Sequence, residues 1–167
     1  MVRVVGRTTQ STAASEPRPH RLAVAIVRAA RGPNVVRILA DLSEAAGAAG
    51  STLRMWCRFA KVYPHDVVAF ARALFAVYNA LHRDAEPHDL LDFAEQRSLD
   101  RFLGRSGQLV EDGRPVSVPT FCARQLFIGH RQIVGDVIRL MAEEPTTKNK
   151  RTRFRRGLCS LSQTLTV

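Results

Sequence analysis

Apolar side chains recur along most of this chain at steps of three and four, the period of helices with one buried face. Leu22, Ala25, Ile26 and Ala29 fall at i, i+3, i+4 and i+7 within an Ala-rich stretch closed by Gly32-Pro33, which predicts a first helix over 22–30; Val24 and Val27 leave a strand open there. Asn34 is the expected N-cap of a second helix, running to about Ala46 with Val35, Ile38, Leu39 and Leu42 on one face and ended by Gly47. A third helix spans Ser51 to about Lys61, and Pro64 follows it. The fourth, His65 to about Arg83, carries Val67, Phe70, Ala71, Leu74, Tyr78 and Leu81, with Val68, Phe75 and Val77 widening its stripe beyond one side. Pro87 opens a short helix through Phe93, and Gln96 to Ser106 forms another, with Leu99, Phe102 and Leu103 inward and Gly107 after it. Residues 108–119 read as a loop and 120–144 as one last amphipathic helix, marked by Ile133, Val134, Val137, Ile138 and Met141, that either covers the bundle or dimerises. The fold class is all-α: a helical bundle with one helix-turn-helix, or with two joined by the long helix.

The ends break this pattern. Residues 1–20 lack periodicity and read as a flexible basic arm; 145–167 read as a basic disordered tail. Between them, 21–107 is the expected helix-turn-helix domain and 108–144 a loop with a C-terminal helix. The formal charge of +10 follows the same division: +5 over residues 1–33, −1 over 34–147 and +6 over 148–167. Basic ends attract any polyanion and do not choose among DNA, RNA and an anionic membrane surface. Arg outnumbers Lys by 22 to 3. Arg suits phosphate and guanine edges because its fork donates two parallel hydrogen bonds, although a codon bias toward Arg and Ala gives the same composition.

With 46% hydrophobic residues over 167 positions, the chain has enough apolar material for one core. No apolar run approaches the roughly 18 residues a membrane span needs. Cys57, Cys122 and Cys159 are scattered, with no Cys-x-x-Cys pair, and the N-terminus has no apolar run of signal-peptide length. An Arg-rich, nearly acid-free N-terminus is also transit-peptide composition, but without a clear amphipathic helix. A reducing, cytoplasmic home without membrane contact is the expectation.

The most informative segment runs from Leu39 to Arg58. Two helices that cross steeply through a three- or four-residue turn need a small residue at closest approach, a glycine at the left-handed position and apolar residues on both flanks. Ser43, Gly47, and Leu42, Ala46, Ala48, Leu53 and Trp56 stand at those offsets. Leu53, Trp56, Cys57 and Ala60 then point inward, leaving Thr52, Arg54, Met55, Arg58 and Lys61 outward. Three cations on an exposed helix, beginning at an N-terminus that favours phosphate, suit a major-groove recognition helix. A helical corner with a solvated outer face accounts for the same residues.

Residues 34–107 resemble the DNA-binding region of AraC-type transcription regulators, which carries two helix-turn-helix units joined by a long helix. The resemblance rests on Gly50-Ser51-Thr52-Leu53-Arg54-Met55-Trp56-Cys57-Arg58, on Phe70-Ala71-Arg72-Ala73-Leu74-Phe75-Ala76 for the connecting helix, and on Asp89-Leu90-Leu91-Asp92-Phe93 with Arg97-Ser98-Leu99-Asp100-Arg101-Phe102-Leu103 for the second unit. Phe75 and Asp100 stand where the family's pattern has cations. The resemblance implies that Ser51, Arg54, Met55 and Arg58 face double-stranded DNA. Arg54 would read a base, and Arg58 and Lys61 would contact phosphate. Arg97, Arg101 and Arg105, one cationic edge at i, i+4, i+8, would serve the second unit or be a solvated face. It also implies a bacterial, nucleoid-associated protein. The family's sensor domain does not fit in the roughly 33 residues before the first unit, so no small-molecule ligand is expected within this chain.

The remaining candidates for chemistry are weaker. His82, Asp84, Glu86, His88 and Asp89 crowd one linker without the spacing of a known metal site. Cys122 and His130 lack a third orienting group, and Gly104, Gly107 and Gly113 fit helix ends and a turn rather than a phosphate loop. Neither an enzyme nor a cofactor is expected. The competing function is an all-α protein-interaction module whose basic tails bind polyanions without sequence preference, with 120–144 as the surface for a homodimer or partner protein.

Overall fold

The computed structural model of the chain describes residues 18–83 and 85–143. They form seven α-helices, one 3-10 turn and a minimal hairpin: α1 (Arg18–Ala30), α2 (Leu39–Ala46), α3 (Gly50–Ala60), α4 (Pro64–Arg83), the 3-10 turn Asp89–Leu91, α5 (Gln96–Ser106), β1 (Val110–Glu111), β2 (Arg114–Pro115), α6 (Val118–Arg124) and α7 (Arg131–Ala142). The all-α architecture stands. The flexible arm and basic tail assigned to 1–20 and 145–167 lie outside the described residues, except that α1 begins at Arg18, inside the span given to the arm.

Helix α1 is the hub. Leu22, Ala23, Ala25, Ile26, Val27, Ala29 and Ala30 are all buried, and the helix packs against α2, α3, α4 and α7. Its small residues permit that, because alanine lets neighbouring backbones approach from several sides at once. Helix α4 is the second axis, burying Val67, Val68, Phe70, Ala71, Ala73, Leu74, Phe75, Ala76, Val77 and Ala80. Phe70 stacks on Phe121 of α6 with ring centroids 5.4 Å apart. One apolar cluster therefore runs from Leu22 to Val137, and residues 108–143 share the core of 21–107. Inside it, Asn79 Nδ2 donates to the carbonyls of Phe75 at 2.9 Å and Ala30 at 3.2 Å, so the last carbonyl of α1 is not orphaned.

Four further boundaries differ from the sequence reading, each for a local reason. Asn34 is not an N-cap: residues 35–38 are irregular and α2 starts at Leu39. The carboxylate of Asp41, not the side chain of Asn34, accepts from the amides of Arg37 (2.7 Å) and Ile38 (3.1 Å). The β-branched pair Val35-Val36 just before this start disfavours helix. The short helix expected after Pro87 is only the 3-10 turn, closed by Asp92 in the left-handed region at φ 50°. The second helix-turn-helix thus lacks its first helix. The loop over 108–119 contains the hairpin, whose register pairs Val110 with Pro115 and Glu111 with Arg114. Asp112 and Gly113 at its tip both have positive φ, the two-residue turn that Asp-Gly favours.

The single helix over 120–144 is two, α6 and α7. Between them the buried side chain of Gln125 accepts from the amides of Phe127 (2.8 Å) and Ile128 (2.9 Å) and donates to the carbonyl of Ile128 (2.8 Å). A side chain that satisfies the local backbone removes the need for helical hydrogen bonds there. His130 then caps α7 through Nδ1. Ile133 and Val137 of α7 are fully buried, and α7 lies against α1. Arg31, just past α1, donates to the carbonyls of Leu140 and Met141, and His20 sits 3.2 Å from Asp136.

Candidate nucleic-acid interface

The corner between α2 and α3 is built by three residues. Gly47 takes φ 63°, where its amide meets the carbonyl of Glu44 and the amide of Ala48 meets that of Ser43, both at 3.1 Å. This closes α2 with a left-handed residue that non-glycine side chains adopt at a cost. Ser43 lies where α2 and α3 come together: a Cβ on Gly50 would stand 3.5 Å from its Oγ. That hydroxyl is buried without a hydrogen-bond partner.

Helix α3 is divided as its periodicity predicts. Leu53, Trp56, Cys57 and Ala60 are buried, while Ser51, Arg54, Met55, Arg58 and Lys61 are exposed and Thr52 is half-buried. Among the described residues, Arg54, Arg58 and Lys61 have no ion-pair or hydrogen-bond partner through their side chains. Nor does any side chain cap the amides that open α3. The guanidinium of Arg54 folds toward that end, with Nη1 3.8 Å from where a Gly50 Cβ would sit. The first turn of α3 and its nearest cation therefore face the same space, and both favour an anion.

The exposed side of α3 also carries apolar groups: beside Met55, already expected outward, stands Phe59, with Tyr63 just past the helix. Met55 is 42% exposed, Phe59 58% and Tyr63 69%. Arg18 of α1 stacks over Phe59 at 3.5 Å and Tyr63 stacks with His65 at 5.5 Å. Phe59 falls four residues after Met55, so an apolar row runs beside the row of Arg54 and Arg58. Exposed aromatics on a polar helix face are an informative departure from ordinary burial.

The second cationic helix is arranged differently. Arg97 and Arg101 of α5 are exposed and, among the described residues, without partners. Arg105 is not on the same footing. It pairs with Asp66 at 2.7 Å, lies over the Phe127 ring at 5.0 Å, and its carbonyl accepts from the amide of Leu126 at 2.7 Å. Arg72, quoted above only as part of the connecting helix, is a second such clamp. It stacks over Phe93 at 3.7 Å and donates to the carbonyls of Leu91 and Asp92. Burial, together with the neighbouring Arg37, holds its guanidinium below the ordinary arginine range.

Cys57 and Cys122 are buried free thiols, pushed up to about 11 and about 12 by burial, so neither is a thiolate at neutral pH. Among the described residues no group of three or more His, Cys, Asp and Glu side chains could hold a metal ion; Asp84 lies outside them. None of the described helices is long and apolar enough to cross a membrane. Compared with family models, curated proteins and solved structures, the chain matches none.

Proposed function

We propose that this protein is a DNA-binding transcription regulator that places α3 in the major groove. The observation that carries the reading is the division of α3: four side chains fix it to the bundle, while Arg54 beside the uncapped N-terminus, Arg58 in the last turn and Lys61 at the C-cap stand exposed and without described partners. A recognition helix must be held rigidly by one face and keep its cations unpaired on the other. Arg54 reads a guanine edge, Ser51 and Thr52 lie by the backbone at the N-terminus, Met55 contacts a base, and Arg58 and Lys61 hold phosphates. Arg97 and Arg101 add phosphate contacts from α5, and Arg105 serves the fold.

The second reading, an all-α protein-interaction module, is favoured by Met55, Phe59 and Tyr63, whose exposure suits a protein partner better than a wet groove. Binding to a randomised duplex pool at about 0.15 M salt separates the two. Recovery of a sequence motif that Arg54→Ala weakens by roughly tenfold or more supports the regulator. Equal retention of all sequences, collapsing as salt rises, leaves only polyanion attraction and favours the module.

A further inference from the structure

A groove of about 460 Å³ opens between the start of α2, α3, the start of α4 and α5. Ile38, Val68, Phe93 and Phe102 give it an apolar floor. Arg37, Arg54 and Arg72 stand around that floor, and no carboxylate lines it. Two of the three cations are engaged: Arg37 pairs with Asp92, and Arg72 is fixed on the carbonyls of Leu91 and Asp92. Arg54 alone has no described partner. Helices α3 and α5, the two that carry the candidate cations, thus meet across an apolar concavity with one free guanidinium at its edge.

From this geometry we infer that the groove binds a small carboxylate with an apolar body, its carboxylate on Arg54 and its hydrocarbon on Ile38, Val68 and Phe102. The volume falls in the range of sites that take one small molecule, which are mostly apolar with a few placed polar groups. A bare phosphate would leave the apolar floor wet, and a neutral hydrocarbon would leave Arg54 unpaired; one molecule with both parts satisfies both. The expectation of no small-molecule ligand rests on the lack of room for a sensor domain before the first unit; a groove made by four separated segments has no linear motif that the sequence could show. Resting on the proposed function, one consequence follows: Arg54 cannot hold a ligand carboxylate and a guanine edge at once, so the carboxylate and DNA compete.

Decanoate and decanol, equal in chain length and different in charge, are the probes. In the full chain, decanoate is expected to shift the methyl resonances of Ile38 and Val68 saturably below about 5 mM, with decanol at least ~tenfold weaker. Arg54→Gln should bring decanoate down to decanol, a loss of about tenfold, while Arg58→Gln changes neither. Ala69→Leu, which fills the groove from a half-buried position, should weaken both probes. Were that variant to unfold, Arg54→Gln, at an exposed position, decides the question. No saturable shift, equal binding of the two probes, or an unchanged Arg54→Gln would each overturn the site. Competition is read separately, on a duplex recovered from the pool. Decanoate bound at Ile38 with duplex affinity unchanged overturns the competition, and decanoate bound by a chain that retains no motif overturns the DNA reading while the carboxylate site stands.

Discussion

Helices α3 and α5 are equally long, eleven residues each, and both carry arginines four residues apart, yet the bundle uses them oppositely. Helix α3 buries Leu53, Trp56, Cys57 and Ala60 and leaves its cations unpaired. Helix α5 buries fully only Ser106 and holds Leu99, Phe102 and Leu103 half-buried. Its attachment comes from Phe102 against Phe93 (5.0 Å) and Phe127 (5.1 Å), and from Arg105 on Asp66. A row of arginines is therefore not in itself an interface. Where apolar anchoring is strong the cations remain available; where it is weak, one of them becomes the anchor.

The largest expected effect tests that contrast through stability. Arg105→Ala leaves Asp66, only 11% exposed, with His65 at 3.3 Å as its remaining partner. Removing one member of a fully buried pair costs about 3–5 kcal/mol. Because the side chain of Arg105 is itself 42% exposed, about 1–2 kcal/mol is expected here, a fall in melting temperature of roughly 2–8 °C. Arg97→Ala and Arg101→Ala should stay within about 0.5 kcal/mol. Thermal unfolding of the three variants is the measurement, and equal losses at all three positions would erase the distinction between anchor and face.

A smaller effect tests the same contrast through binding. If Arg58 and Lys61 each neutralise one phosphate, replacing either by Ala should reduce the salt slope of duplex binding by about 0.9 and weaken all sequences alike. Arg105→Ala, assayed well below its melting temperature, should leave that slope unchanged. A slope that falls equally for Arg105→Ala would put Arg105 itself on a phosphate and remove its role as a purely structural anchor.

Much of this contrast was legible in the sequence, and the rest was not for identifiable reasons. The inward and outward faces of α3 follow from period alone, because Leu53, Trp56, Cys57 and Ala60 form its longest apolar stripe. Gly47 announces its left-handed turn because few other residues go there cheaply. Asp112-Gly113 is equally legible as a hairpin tip, although the Gly and Pro residues around it read first as a loop. The clamps were not readable. Arg72 and Arg105 look like any surface arginine until the fold brings carbonyls 19 and 20 residues away, or an aspartate on another helix, within reach. The break at Gln125 was hidden similarly, since no propensity distinguishes a glutamine that turns back on its own backbone from one that faces water.

The smallest expected effect falls under α3 itself. Ser43 stands where the helical corner needs only a small residue, and its Oγ is buried with no partner. A buried hydroxyl without a hydrogen bond carries a desolvation penalty, and serine is also a slightly poorer helix former than alanine inside α2. Ser43→Ala should therefore stabilise the fold by about 0.5–1 kcal/mol, raising the melting temperature by roughly 1–4 °C. A loss of stability instead would reveal a water bound at that hydroxyl, supporting the corner from within. The substitution touches neither Arg54 nor Arg58, so duplex affinity should not move. Stability and binding would then be separable at α3, where anchor and face are different residues. At α5 the anchor Arg105 continues the row of Arg97 and Arg101, so only the three substitutions measured side by side tell the cation that holds the fold from the two that face outward.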